Sequence, residues 1–157
     1  MQQSGTGPAT TLNDEIAAAS QLAAVLQREQ ALLIDADVDA LPDLTQEKAK
    51  LIAQIAVLAN TRYQALAAAG FTDDEAGMKA WTESSAPAAA VKAWNDLLAV
   101  AREAKELNRI NGVLIGKHIS RNQATLSVLQ AGRQGPALYG PDGQTSSKGG
   151  SRGLVIG

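Results

Sequence analysis

Glu106-Leu-Asn-Arg-Ile-Asn-Gly-Val-Leu-Ile-Gly-Lys-His118 is the centre of a stretch, from about Ala86 to Gln130, whose reading decides the fold. No proline interrupts it after Pro87. Its larger residues recur in steps of three and four: Trp94, Leu97, Leu98, Ala101, Ala104, Leu107, Asn108, Asn111, Leu114, Ile115, His118, Asn122, Leu126 and Leu129. This spacing predicts one long amphipathic helix. At 1.5 Å rise per residue it spans roughly 65 Å, so an elongated molecule is expected.

The middle of the stripe is unusual. Asn108, Asn111 and Gly112 occupy positions where a coiled-coil seam places Leu or Ile, and a polar seam residue fixes register or partner at a cost in stability. Gly112 and Gly116 lie one turn apart on one face. A helix-interior glycine costs about 1 kcal/mol relative to alanine, so the pair calls for a reason. Two are open: close helix packing inside the protein, or a groove that receives a partner helix.

Outward toward the N-terminus, the pattern predicts a helical hairpin. Residues 1–10 are a polar lead with Gly5, Gly7 and Pro8, expected to be frayed. Thr11 or Asn13 is the expected cap of a first helix opened by Asp14 and Glu15. Leu12, Ile16, Ala19, Ala23, Leu26 and Leu33 form its stripe. Asp35-Ala-Asp-Val-Asp39 is an acidic break, without the Gly and later Glu that a calcium loop requires. Asp39 is expected to cap a second helix with Pro42 in its first turn. Leu41, Leu44, Lys48, Leu51, Ile55, Leu58, Arg62 and Ala65 then repeat without a slip up to Gly70. A short turn between these helices makes an antiparallel pair. Thr72-Asp-Asp-Glu75 fits a capping box for a short helix carrying Met78 and Trp81, and Trp81 and Trp94 are expected as core anchors.

From Gly132 the composition changes. The last 26 residues hold 8 of the 14 glycines, a composition that buries too little apolar surface to stay ordered. Leu138-Tyr139 followed by Gly-Pro-Asp-Gly-Gln144 stands out as a recognition segment or as a tail that docks on its own bundle. The expected organisation is a flexible lead (1–10), a helical bundle domain (11–131) and a flexible tail (132–157). The fold class is all-α: an antiparallel coiled-coil hairpin plus one long C-terminal helix.

Composition narrows the function. Hydrophobic residues are 45% of the chain and aromatics 3%, which suits Ala/Leu-packed helices. There is no cysteine, hence no thiol or disulfide chemistry. The single histidine, His118, has no Glu-x-x-His partner, and no H-E-x-x-H is present, so no metal or cofactor is expected. Gly112-x-x-x-Gly116-Lys117 has the wrong spacing for a phosphate loop and sits mid-helix. No secretory leader and no apolar run long enough for a membrane span are seen, so a soluble cytoplasmic protein is expected. Residues 1–85 carry a net charge of −7, residues 86–131 one of +3 and residues 132–157 one of +2. These halves attract each other in a bundle. A nucleic-acid surface is disfavoured, because the basic residues are diluted and stacking aromatics are missing. The chain reads as a binding protein, not an enzyme, and a homodimer remains open.

Three segments carry a resemblance that covers Leu12 to Gln144. Leu26-Gln-Arg-Glu29 with Asp39-Ala-Leu-Pro-Asp-Leu-Thr-Gln-Glu-Lys48 and Leu51 is the first, Leu107-Asn-Arg-Ile-Asn-Gly-Val-Leu-Ile115 the second, and Leu138-Tyr-Gly-Pro-Asp-Gly-Gln144 the third. Together they resemble the FlgN family of flagellar type III export chaperones. The resemblance implies a chaperone that binds the helical C-terminal segments of hook–filament junction proteins (the FlgK and FlgL type). It would prevent their premature assembly and deliver them to the cytoplasmic domain of the flagellar export gate. Carried over by residue, it implies client contacts at Leu107, Asn108, Asn111, Gly112, Leu114 and Ile115, and gate contacts at Leu138 and Tyr139. The residues after Gln144 depart from the motif. The competing reading is a coiled-coil adaptor or structural protein without a flagellar client.

Overall fold

The computed structural model describes residues 7–134. Its elements are α1 (Leu12–Ile34), a 3-10 turn (Val38–Ala40), α2 (Leu41–Ala68), α3 (Glu75–Ser84) and α4 (Ala88–Gln134). The described residues are all helix, turn and loop, as the spacing predicts. The chain divides between Leu114 and Ile115 into two units.

In the first unit, α1 and α2 form the expected antiparallel hairpin. Cross-helix pairs fix the register: Glu15 meets Arg62, Arg28 meets Glu47 and Glu29 meets Lys48. The α1 residue number rises as the α2 number falls. Every position of the α2 stripe is buried or half-buried, while Ile52 and Val57, off the stripe, are exposed. The α1 stripe is buried too, apart from half-buried Ile16, but α1 has a second buried face. Val25 packs with Leu44 and Leu51 of α2, whereas Ala23 and Leu26 pack with Ala104 of α4. Leu12 and Ala19 join Ala90, Trp94 and Leu97 in one core with Leu66, Met78 and Trp81. Low-numbered residues of α1 thus meet low-numbered residues of α4, so this part of α4 runs parallel to α1.

The helix ends differ in detail from the capping expected above. Before α1, residues 7–11 make a hydrogen-bonded turn with Pro8 buried, although residues 7–10 belong to the stretch read as a frayed lead. Thr11 is the N-cap of α1, but its hydroxyl makes no cap bond and instead donates to Glu15 Oε2 at 2.8 Å. Asp39 does not cap α2. It lies inside the 3-10 turn that runs straight into the helix, and Ala40 takes the cap position without a side-chain bond. Pro42 does fall in the first turn of α2. For α3 the cap is Asp74, whose carboxylate accepts the Gly77 N–H at 2.8 Å, while the Thr72 hydroxyl donates to Asp74 at 2.7 Å. The box is shifted because the chain folds back there. A Cβ at Gly77 would sit 1.7 Å from the Thr72 carbonyl oxygen, so only glycine permits this approach.

Gly70 ends α2 with φ +91°. The Phe71 N–H donates to the Leu66 carbonyl and the Gly70 N–H to the Ala67 carbonyl, a Schellman closure that glycine accommodates without steric cost. Phe71 then packs on the core around Leu66, completing the motif. α1 ends the same way, with the Asp37 N–H on the Leu32 carbonyl, but here the left-handed residue is Ala36 at φ 57°.

In the second unit, α4 continues from Ile115 as helix to Gln134. Its larger apolar side chains stand in solvent.

Candidate functional site

Two polar contacts seat α4 on the hairpin in the first unit. Asn111 is buried and donates from Nδ2 to the Leu26 carbonyl at 2.8 Å and to Glu29 Oε1 at 2.9 Å. Glu29, also buried, accepts Lys48 Nζ of α2 at 3.0 Å. One amide and one ion pair therefore tie three helices at a single level. A buried polar group aligned only in one register penalises every other register.

The second contact lies lower in the bundle. Arg62 and Glu15 are both buried and pair through two bonds of 2.9 and 3.0 Å, a bidentate geometry. The Arg62 guanidinium also lies 4.8 Å from the ring centroids of both Tyr63 and Trp94, within cation–π range. Trp94 is therefore the core anchor expected of it and also a platform for a buried cation.

The residues implied as client contacts divide by environment. Asn111 is interior, and Leu107 and Leu114 are half-buried, Leu107 against Ala23, Leu26 and Ala104. Asn108, Gly112 and Ile115 are exposed. Nothing lies within 4 Å of a Cβ built on Gly112 or Gly116, so neither glycine serves close helix packing within the described chain. Leu138 and Tyr139 lie outside the described residues.

Sequence reasoning placed Glu15 in the first turn of α1 and Lys48 and Arg62 on the α2 stripe, but passed over the pairing of Glu15 with Arg62 and of Glu29 with Lys48, although the signal is there. Glu15 and Glu29 are two heptads apart in α1, Lys48 and Arg62 two heptads apart in α2. An antiparallel hairpin places each acid opposite one base. Ile119, four residues after Ile115 on the same face, was also missed, as was Val128, which lies off that face.

The second unit carries the largest uncovered apolar surface on α4. Ile119 is 52% exposed, Leu126 57%, Val128 70% and Leu129 56%. Ile115, Ile119, Leu126 and Leu129 follow helical spacing along one face, with Asn122 in the position between Ile119 and Leu126. Lone exposed apolar residues need no explanation, but a contiguous stripe marks an interaction surface. Among the described residues no group of three metal-ligating side chains exists, and no helix is long and apolar enough to cross a membrane.

Charge state matters at two exposed positions. The Thr72 hydroxyl, then the Gly77 N–H, hold the Asp74 carboxyl below its ordinary value. The hydrogen bond from Arg109 does the same for Glu106, at 2.7 and 2.9 Å.

A helical hairpin with a third long helix locked onto it, offering an exposed amphipathic stripe, defines the class: a helical interaction protein. Comparison with known proteins makes this specific. The family model described as FlgN protein matches residues 1–147. The chain belongs to the FlgN family. It is 32% identical over 136 residues to the flagella synthesis protein FlgN of Yersinia enterocolitica, covering 85% of this chain and 86% of that one. The protein of the same name from Salmonella typhimurium is 30% identical over 139 residues (87% and 84%), and that from Proteus mirabilis 29% over 136 residues (85% and 86%). No solved structure matches the chain.

Proposed function

We propose that this chain is a cytoplasmic flagellar export chaperone. It binds hook–filament junction proteins through their helical C-terminal segments, keeps them from assembling early, and delivers them to the cytoplasmic domain of the export gate. Membership of the FlgN family supports the flagellar setting, and one observation carries the binding step. The second unit leaves Ile115, Ile119, Leu126 and Leu129 uncovered on one helical face. A client helix that would otherwise polymerise through its apolar side can lie along such a face.

This reading moves the centre of client contact along α4. Asn111 works from inside, holding the helix in register, and Gly112 and Ile115 lie at the exposed edge. The test is a titration of a purified hook–filament junction protein against the parent, Leu126→Asp and Ile119→Asp chains. Both variants should lose about thirtyfold or more in affinity, since an anchor side chain contributes about 2 kcal/mol or more. Their circular dichroism and melting should match the parent. Unchanged affinity in both would refute the assignment. For delivery, Tyr139→Ala should weaken binding to the gate domain and leave client affinity unchanged; equal gate affinity would remove Tyr139 from that step.

A further inference from the structure

Val128 is the most exposed large apolar side chain among the described residues, at 70%, and the client face leaves it out. Lys117, Arg121, Ala124 and Val128 follow in steps of four, three and four, and all are exposed. At about 100° per residue they form one stripe, roughly 155° round α4 from the centre of the Ile115, Ile119, Leu126 and Leu129 face. Arg121, Ala124 and Val128 also line a shallow hollow with Thr125 and Leu129. Upstream, α4 sets carboxylates within about a turn of exposed cations: Lys92 pairs with Asp96 and Arg109 with Glu106. The stripe has no such partner. No Asp or Glu occurs between Leu107 and Gln134, and neither Lys117 nor Arg121 forms an ion pair among the described residues. Like charges four residues apart weaken a helix, and the helix dipole favours cations only in the last turn, beyond both.

We propose that this stripe is a second docking surface, separate from the client face, and that it takes an acidic helix. Two carboxylates one turn apart on that helix meet Lys117 and Arg121 and remove the repulsion between them. Small apolar side chains further along the same row cover Ala124 and Val128. A helix is the fitting occupant because steps of four, three and four are the spacing of its own rows, and Ala124 lets it lie close. Exposed ion pairs each add little affinity, so the charges act mainly by rejecting partners of the wrong sign. A second copy of the stripe is one such partner. The chain's own densest acidic stretch, Asp35 to Asp39, lies in the turn between α1 and α2 and offers no helical row of carboxylates. RNA is disfavoured as well: no Trp, Tyr or Phe occurs from Asn95 to Gln134, and single strands bind by stacking on such rings. Because the two faces are opposed, an acidic helix and a client can occupy the second unit together; only this last step rests on the client reading.

Three synthetic Ala-rich helical peptides with one shared Ala/Val row, carrying Glu, Gln or Lys at two positions four apart, provide the test. Each is titrated against the full chain by fluorescence anisotropy. The Glu peptide should bind about tenfold tighter than the Lys peptide, with Gln between. The gap should narrow from about 50 mM to about 500 mM NaCl as screening shortens the reach of the charges. Lys117→Glu combined with Arg121→Glu should reverse the order of the peptides, and Val128→Asn should weaken all three alike. Ile119→Asp, on the opposite side of α4, should change none of these affinities. Equal affinities for the three peptides, or no binding by any, would overturn the proposal. Loss of Glu-peptide binding in Ile119→Asp would overturn it too, by showing one docking face instead of two. So would tighter binding to a poly-uridine RNA than to the Glu peptide, or a dimer that Lys117→Glu with Arg121→Glu dissolves. Client affinity unchanged by Ile119→Asp, with the peptide order as expected, would refute the client face alone and leave the acidic-helix surface standing.

Discussion

Two residues decide more of this fold than their size suggests. Arg62 is buried, paired with Glu15 and within cation–π distance of both Tyr63 and Trp94. Desolvating two charges offsets much of their attraction, so such a pair adds little net stability, yet removing one partner strands the other. Arg62→Met should therefore destabilise the protein by about 3–5 kcal/mol, leaving the Glu15 carboxylate with only the Thr11 hydroxyl. Combining it with Glu15→Leu should recover most of that loss. Urea denaturation of the parent, both single variants and the double variant measures the coupling, and additive losses would refute it. Ala36 is the opposite case. Its left-handed conformation at φ 57° is strained for an L-residue by about 1–2 kcal/mol. Ala36→Gly should raise stability by about 0.5–1 kcal/mol, the remainder being lost to the greater freedom of glycine in the unfolded chain. The same denaturation assay checks it.

The elements show what periodicity reveals and what it hides. The α2 stripe from Leu41 to Ala65 was legible because one continuous buried face imposes steps of three and four; the extent of α4 was legible from the same spacing, although its stripe stands exposed from Ile115 onward. α1 was read only halfway. It lies between α2 and α4, so its second buried face, with Val25, Glu15 and Glu29, fell outside a single stripe. Helix starts were the least legible, since a cap depends on where the backbone turns. Thr72 and Asp74 both suit a cap, and the approach of Gly77 to the Thr72 carbonyl gives the position to Asp74. That cap has a pH signature. The Asp74 pKa is lowered in the folded state by the Thr72 and Gly77 hydrogen bonds. Its contribution is therefore present above the unfolded carboxylate pKa and lost as pH falls through the folded one. Asp74→Ala should melt below the parent at neutral pH, and the difference should close in acid. A melting difference that stays constant with pH would show that the carboxylate does not act as the cap.

For the whole molecule, family membership and the helical class were readable from sequence, whereas the division of labour along α4 was not. Asn111 and Gly112 are neighbours in one motif, and only packing shows that the first is interior and the second open. Up to Leu114, α4 is held on α1: Leu107 packs against Ala23 and Leu26, and Asn111 donates to the Leu26 carbonyl and the Glu29 carboxylate. From Ile115 the exposed Ile119, Leu126, Val128 and Leu129 have no such cover. A helix without tertiary packing is marginal in water, because hydrogen bonds alone barely offset the entropy of ordering the backbone. Amide exchange in the free chain should therefore be fast from Ile115 onward and slow in the buried segments around Leu26, Leu66 and Met78. Client binding should reverse the first of these, because a ligand at about 100 times its Kd stabilises whatever it binds by about 2.7 kcal/mol. That corresponds to roughly a hundredfold slowing of exchange in residues 115–132. Leu126→Asp should leave the free-state pattern unchanged and abolish the protection. Slow exchange from Ile115 onward in the free chain would mean that this face is already covered, and the docking assignment would fail.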